Sequence, residues 1–300
     1  MKIFQCGNCN HALFFENNTC ENCGHLSGYR DRNRKMYTFD PQSDALIANK
    51  NQIEYKYCKN KEYDVCNWLL KKQSTEDYCS ACRLNRTIPY LSDKENFEKW
   101  KNLEIAKHRL IYQLQKIGLA LPSKLRFEKG LCFDFVSKKN NPSLMTGHAN
   151  GVITILLSEA DSVQREKMRK EFSEPYRTLI GHLRHEVGHY FWEKLVHNNQ
   201  EVLTRFRTIF GNEQLDYAAA IQQYYQRGEP GNWQASFISK YATAHPWEDW
   251  AETWAHYLHI MGILFVVNIA IMLIVGALRP KTDEYIPQET DVIDTTPWEY

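Results

Sequence analysis

The stretch GHLRHEVGHYFW, residues 181–192, sets His185, Glu186 and His189 inside a run that is otherwise mostly apolar. On a helix, side chains four positions apart share a face, so two imidazoles at this spacing can grip one divalent ion. The carboxylate between them hangs beside the ion, where it can take a proton from a metal-bound water. The pattern predicts hydrolysis, with His185 and His189 as metal ligands and Glu186 as the catalytic base. The competing reading is two core histidines, each satisfied by a hydrogen bond.

A zinc centre of this kind takes a third protein ligand. The segment HPWEDWAETWAHYLH, residues 245–259, offers one. Trp247, Trp250, Trp254 and Leu258 form an apolar helical face, and Glu248, Glu252, His256 and His259 a polar stripe opposite it. We expect Glu248 on the metal and Glu252 behind it, hydrogen-bonded to a ligand histidine so as to fix its tautomer. The swapped assignment, and Asp249 or His256 as ligand, stay open. His182, one turn before His185, is expected behind the ligands or in the core. Tyr241, Tyr257 and His256 are the candidates for steadying an oxyanion.

A second chemistry lies at the front of the chain. Of nine cysteines, eight precede residue 83. Cys6, Cys9, Cys20 and Cys23 form two CxxC turns, each aiming two sulfurs at one point, which together make a closed tetrahedral zinc site. Phe4, Leu13, Phe14 and Phe15 are too few to make a core alone, so metal binding supplies much of the folding energy. Cys58, Cys66, Cys79 and Cys82 read as a second such site, against the alternative of a half-site with two free thiols. Neither has an open coordination position, so neither is catalytic. The implied cofactor is Zn²⁺, one ion catalytic and one or two structural. Cys132, in LCFDF, reads as a small buried side chain in a strand.

Elements must place these groups. Apolar residues at Ile180, Leu183, Val187, Phe191 and Leu195 predict a helix from about Pro175, and Pro246 suits the first turn of another. GVITILL, residues 151–157, reads as a strand: either an edge that accepts an extended peptide or an ordinary buried one. NNP and TGHAN before it read as loops, with His148 structural or exposed. Residues 24–55 are polar with short strands. The fold class is α+β: zinc-ribbon modules over 1–40 and 41–92, then a mainly helical domain with a small sheet over 93–260, the metallopeptidase part of the chain if the histidine motif holds zinc. An apolar segment and acidic tail fill 261–300, the tail being of a composition that favours disorder.

Charge and targeting narrow the partners. The 37 basic and 36 acidic side chains leave a net charge of +1, which gives no field for steering the whole chain toward nucleic acid. The local run YRDRNRK, residues 29–35, keeps a nucleic-acid partner for the zinc-ribbon region open beside a protein partner. No basic-then-apolar signal opens the sequence, so a cytoplasmic chain with reduced thiols is expected. Residues 260–278 are apolar apart from Asn268 and two glycines, close to the roughly 20 residues that span a bilayer. Membrane association through this segment is one expectation; a buried C-terminal helix or an altered gene end are the others. Arg279 and Lys281 follow the segment, a placement that argues against the anchor.

The ribbon cysteines Cys6, Cys9, Cys20 and Cys23, together with CRLNRTIPYLS, GVITILLSEAD, EPYRTLIGHLRHEVGHYFW and HPWEDWAETWAHYLHI, span residues 6–260. In these pieces the chain resembles the bacterial family of zinc-binding metallopeptidases that carry an N-terminal zinc ribbon. The resemblance implies a gluzincin-like fold, a zinc metallopeptidase activity and a peptide or protein substrate. The Glu248 and Glu252 pair is similar to the third-ligand motif of other Glu-zincins, in which the first carboxylate binds the metal and the second supports a histidine. After Ile260 the sequence departs from the pattern expected of the family. The alternative from another class is a non-catalytic binding or scaffold protein with zinc ribbons and a structural metal site.

Overall fold

The computed structural model describes residues 2–48, 52–139, 143–161 and 178–278, with side chains to residue 262 in the last stretch. Pro175 and Glu174, at the expected helix start, lie outside the described residues. The chain divides into two compact units, Met1–Met261 and Gly262–Tyr300.

Short strands build the front of the first unit. β1 (Phe4–Gln5) pairs antiparallel with β2 (Ala12–Leu13), and β3 (Leu26–Arg30) with β4 (Lys35–Phe39). β5 (Leu46–Ile47), β6 (Glu54–Tyr57) and β7 (Leu69–Lys71) make a three-stranded antiparallel sheet. The two cysteine-bearing regions share one core. Phe15 packs 4.9 Å from Tyr29, Tyr29 packs 5.0 Å from Trp68, and Phe15 lies 4.6 Å from Tyr112 of the following helix. That helix, α1 (Lys94–Lys116), starts where the Asp93 carboxylate accepts from the amides of Glu95 and Asn96. It buries Trp100, Leu103, Leu110, Ile111 and Leu114.

The four-stranded sheet runs in the order β10, β11, β9, β8. β8 (Asn85–Thr87), β9 (Cys132–Val136) and β11 (Val152–Leu156) are parallel, and β10 (Gly147–Ala149) is antiparallel to β11. Cys132 is buried in β9. The strand expected from GVITILL is β11, and it is paired on both sides, so it is not an edge. The edges are β8 and β10, and β10 comes from the TGHAN segment read as a loop. Asn150 (φ 49°) and Gly151 (φ 74°) form the two-residue turn between them, the Asn-Gly chemistry that tight hairpins favour. A Cβ on Gly151 would fall 2.2 Å from the Gly130 carbonyl oxygen.

The rest is helical. α2 (Leu179–Trp192) is capped by Thr178, whose hydroxyl accepts from the Gly181 amide. It passes into a π-helical turn over Glu193–His197. The wider turn rotates Leu195 off the apolar face, and it is exposed. α3 (Gln200–Phe210) and α4 (Tyr217–Arg227) start at Asn199 and Asp216 caps, and α5 runs from Pro246 to Leu278.

Among the described residues no helix is long and apolar enough to cross a membrane. This corrects the expected membrane association through residues 260–278. Residues 260–278 lie within α5, whose first turns carry Glu248, Asp249 and Glu252.

α2 and α5 meet at Gly188. A Cβ there would sit 3.1 Å from Trp254 and 3.2 Å from the Cα of Ala251, and Trp250 donates its indole N–H to the Gly188 carbonyl at 2.8 Å. Gly188→Leu is expected to force these helices apart and to cost about 1–3 kcal/mol. Denaturant unfolding of the variant against wild type checks this, and an unchanged midpoint would contradict the close approach.

Candidate metal centre

The α2–α5 contact brings the predicted groups together. His185 and His189 are one turn apart on α2, and Glu248 stands on the first turn of α5. Donor atoms of the three lie within 4.8 Å of one another, and all three residues are buried. His185 Nε2 is 3.0 Å from Glu248 Oε2 and 3.2 Å from His189 Nε2, and His189 Nε2 is 3.5 Å from Glu248 Oε1. Glu252, one turn along α5, accepts from His185 Nδ1 at 2.7 Å. A carboxylate can only accept, so Nδ1 carries a hydrogen, which leaves Nε2 as the nitrogen that would bind a metal. That nitrogen faces His189 Nε2 and a carboxylate. Two imidazole nitrogens and a carboxylate, buried and this close, form the donor set that suits Zn²⁺. The fit holds with Glu248 inward and Glu252 behind His185, the arrangement that fixes a ligand's tautomer.

Charge in the pocket follows. Burial alone pushes the Glu248 carboxyl up, but His189, His185 and the Tyr217 hydroxyl outweigh it and hold the group at about 2. Burial lowers His185, and its hydrogen bonds to Glu248 and Glu252 reverse this and raise it well above the usual range. A metal ion would replace that proton as the positive charge between the carboxylates.

Glu186 points to another partner. Its Oε1 lies 3.2 Å from His182 Nε2, and His182 Nδ1 lies 3.3 Å from Glu159 Oε2. His182 is thus clamped between two carboxylates. Burial lowers its pKa, and the bonds to Glu159 and Glu186 raise it more, to about 9. Its charge holds the Glu186 carboxyl below the ordinary range against the effect of burial.

The remaining candidates scatter. The Tyr241 ring is 6.0 Å from that of His185, at the edge of the centre. Tyr257 is exposed on α5. His256 Nδ1 bonds the Glu252 carbonyl at 2.8 Å, Asp249 is buried outside the donor set, and Arg184 Nη1 contacts His259 Nδ1 at 3.4 Å. The structure thus does not bring Tyr257 or His256 to the donor atoms. Tyr217 is there instead: the first residue of α4 donates its hydroxyl to Glu248 Oε1 at 2.8 Å. Nothing in its local sequence marks it, because the contact depends on how α4 folds back over α5. His148, read as structural or exposed, has a buried side chain on β10. It accepts from the Gly151 amide at 2.9 Å, and its ring is 6.2 Å from that of His189.

Both cysteine sets also converge. Each brings four sulfurs within 4.8 Å of one another, Cys6 with Cys9, Cys20 and Cys23, and Cys58 with Cys66, Cys79 and Cys82.

Residues 96–294 match the family described as "Putative zinc-binding metallo-peptidase". This chain belongs to that family. Residues 3–93 match a zinc-ribbon domain, which takes in both cysteine sets. The family match runs past Ile260, to residue 294. Uncharacterised proteins of Mycobacterium bovis and of two strains of Mycobacterium tuberculosis are each 39% identical over 265 residues, covering 88% of this chain and 74% of theirs. No solved structure matches the chain significantly.

Two outcomes follow from the geometry. Glu252→Ala is expected to leave the three donors in place and weaken the metal they hold by about 10–100-fold, read by chelator competition. Equal affinity would remove Glu252 from its supporting position. The raised pKa of His182 stabilises the fold fully below its unfolded value of 6.5, and this contribution is lost as pH rises through about 9. The thermal-midpoint gap between wild type and His182→Asn should therefore be widest near pH 6 and close above pH 9. A gap independent of pH would contradict a charged His182.

Proposed function

We propose that this chain is a zinc-dependent peptidase in which His185, His189 and Glu248 hold the metal and Glu186 is the general base. One observation carries the reading: two imidazoles and a carboxylate converge in a buried pocket while a further carboxylate, Glu186, sits on the histidines' helix outside the donor set and is separately oriented. A metal kept only for stability has no need of that further carboxylate or of the clamp on it.

When bound, zinc supplies Lewis acidity, acidifying a water and polarising the scissile carbonyl. The chain's own residues do the rest. Glu186 accepts the proton of the attacking water at a carboxylate oxygen and delivers it to the departing amine nitrogen. His182, fixed by Glu159, keeps that carboxylate from rotating away. Glu252 holds the His185 ring in the plane that presents Nε2. The Tyr217 hydroxyl, on Glu248 at 2.8 Å, is a donor close enough to the donor set to turn toward a developing oxyanion. Burial and the nearby Glu248 charge raise its pKa, so it stays protonated and able to donate.

The same reading gives the front of the chain a structural and recruiting role, with a protein partner favoured. Within the 29–35 run, Arg30 already spends its guanidinium on the Leu69 carbonyl and on Asp31, which leaves a weaker patch for nucleic acid.

Glu186→Gln keeps the shape of the side chain and removes its basicity. It should retain the metal of the wild type and hydrolyse a peptide library about 10²–10⁴-fold more slowly. Metal content by elemental analysis, beside product formation by mass spectrometry, checks both. A wild type with full metal and no cleavage above the variant would favour the scaffold reading.

A further inference from the structure

The second cysteine set has a hydrogen-bonding pattern that its own module does not complete. Three of its sulfurs each accept one backbone N–H: Cys58 from Cys79 at 3.3 Å, Cys66 from Trp68 at 3.4 Å, and Cys79 from Cys82 at 3.4 Å. The fourth, Cys82 Sγ, faces His108 Nε2 of α1 at 3.4 Å. His108 is buried, and its ring lies edge-on to Trp68 at 5.4 Å between centroids. Its Nδ1 is 2.8 Å from the Glu104 backbone carbonyl, one turn earlier.

We propose that the second zinc site is shared between the cysteine module and the peptidase domain, with His108 supplying the fourth N–H to sulfur. A metal-bound thiolate only accepts, so the ring nitrogen that faces Cys82 Sγ is placed to donate to it. A zinc ion with four thiolates carries an excess of negative charge, and donors to the sulfurs spread it. Beside it, Glu104 Oε1 lies 3.6 Å from Cys82 Sγ and accepts from Lys107 Nζ at 2.7 Å, both side chains fully buried. Lys107 thus faces Glu104 and His108 faces Cys82, so α1 brings these polar partners to the site.

The consequence is linkage. Gln113, further along α1, accepts from Arg184 of α2 at 3.1 Å and donates to the Leu258 carbonyl of α5 at 2.5 Å. Metal in the cysteine module therefore seats the helix on which both catalytic helices rest. Any energy the metal gives to α1 is returned as affinity for the metal. The inference concerns the structural site and stands whether or not the chain cleaves peptides.

The test uses the full-length chain loaded with cobalt(II), whose absorption separates thiolate charge-transfer from ligand-field bands. His108→Ala should hold the metal of this site about 10–100-fold more weakly, shift its charge-transfer band, and leave the four-sulfur ligand-field pattern intact. His108→Gln, which restores an N–H donor, should recover part of the affinity. Unchanged affinity and spectrum in His108→Ala would overturn the proposal. So would a ligand-field change showing that the ring itself is a ligand. An extra ion lost in the variant would also overturn it, by placing a separate site at Cys82, Glu104 and His108. Should the alanine variant fail to fold, wild type decides: stripping the metal has to speed amide exchange around Glu104 and His108, and unchanged exchange there would sink the idea.

Discussion

The site depends on one contact, the hydrogen bond from His185 Nδ1 to Glu252 at 2.7 Å. It fixes which nitrogen of His185 is free, aims that nitrogen at His189 and Glu248, and ties α2 to α5. It forms only because the helices approach closely enough, and Gly188 permits this by presenting no side chain to Trp254 and Ala251. Trp250 then locks the distance by donating to the Gly188 carbonyl. The aromatic face of α5 is the means by which two carboxylates of one helix reach two imidazoles of another.

The front of the chain serves the same end by a different route. A small buried cluster of Phe39, Ala48, Tyr55 and Leu69 lies across the two cysteine regions. Each contributes aromatic rings to a shared cluster of Phe15, Tyr29 and Trp68 that closes on Tyr112 of α1. Metal binding and hydrophobic burial act together here: the sulfurs set the loop geometry, and the rings join it to the helix beneath. The single zinc-ribbon match over residues 3–93 agrees with that packing.

What was legible in the sequence was what is local. His185, Glu186 and His189 are set by helical spacing, as are Glu248 and Glu252, so the donor set could be read without knowing the fold. The CxxC turns are likewise a few residues long. Tyr217 and Glu159 were not legible, because their contacts arise from how distant elements fold together, and a lone tyrosine or glutamate carries no spacing to read. The β10 hairpin could have been found: Asn150-Gly151 is a tight-turn signal, obscured by the polar residues around it. Leu195 was misread because periodicity assumes an α-helix, and the π turn after Trp192 breaks the count. The apolar run after Ile260 suggested a spanning segment by its length, but no described helix is long and apolar enough to cross a membrane.

Helix α4 buries none of its residues, yet its first turn bonds Glu248 and Tyr224 packs on Tyr241 at 5.6 Å. An element with so little apolar area covered detaches at a small fraction of the free energy of global unfolding. The pocket therefore has a firm floor of two interlocked helices and a light roof, and the roof can lift while the floor stays assembled.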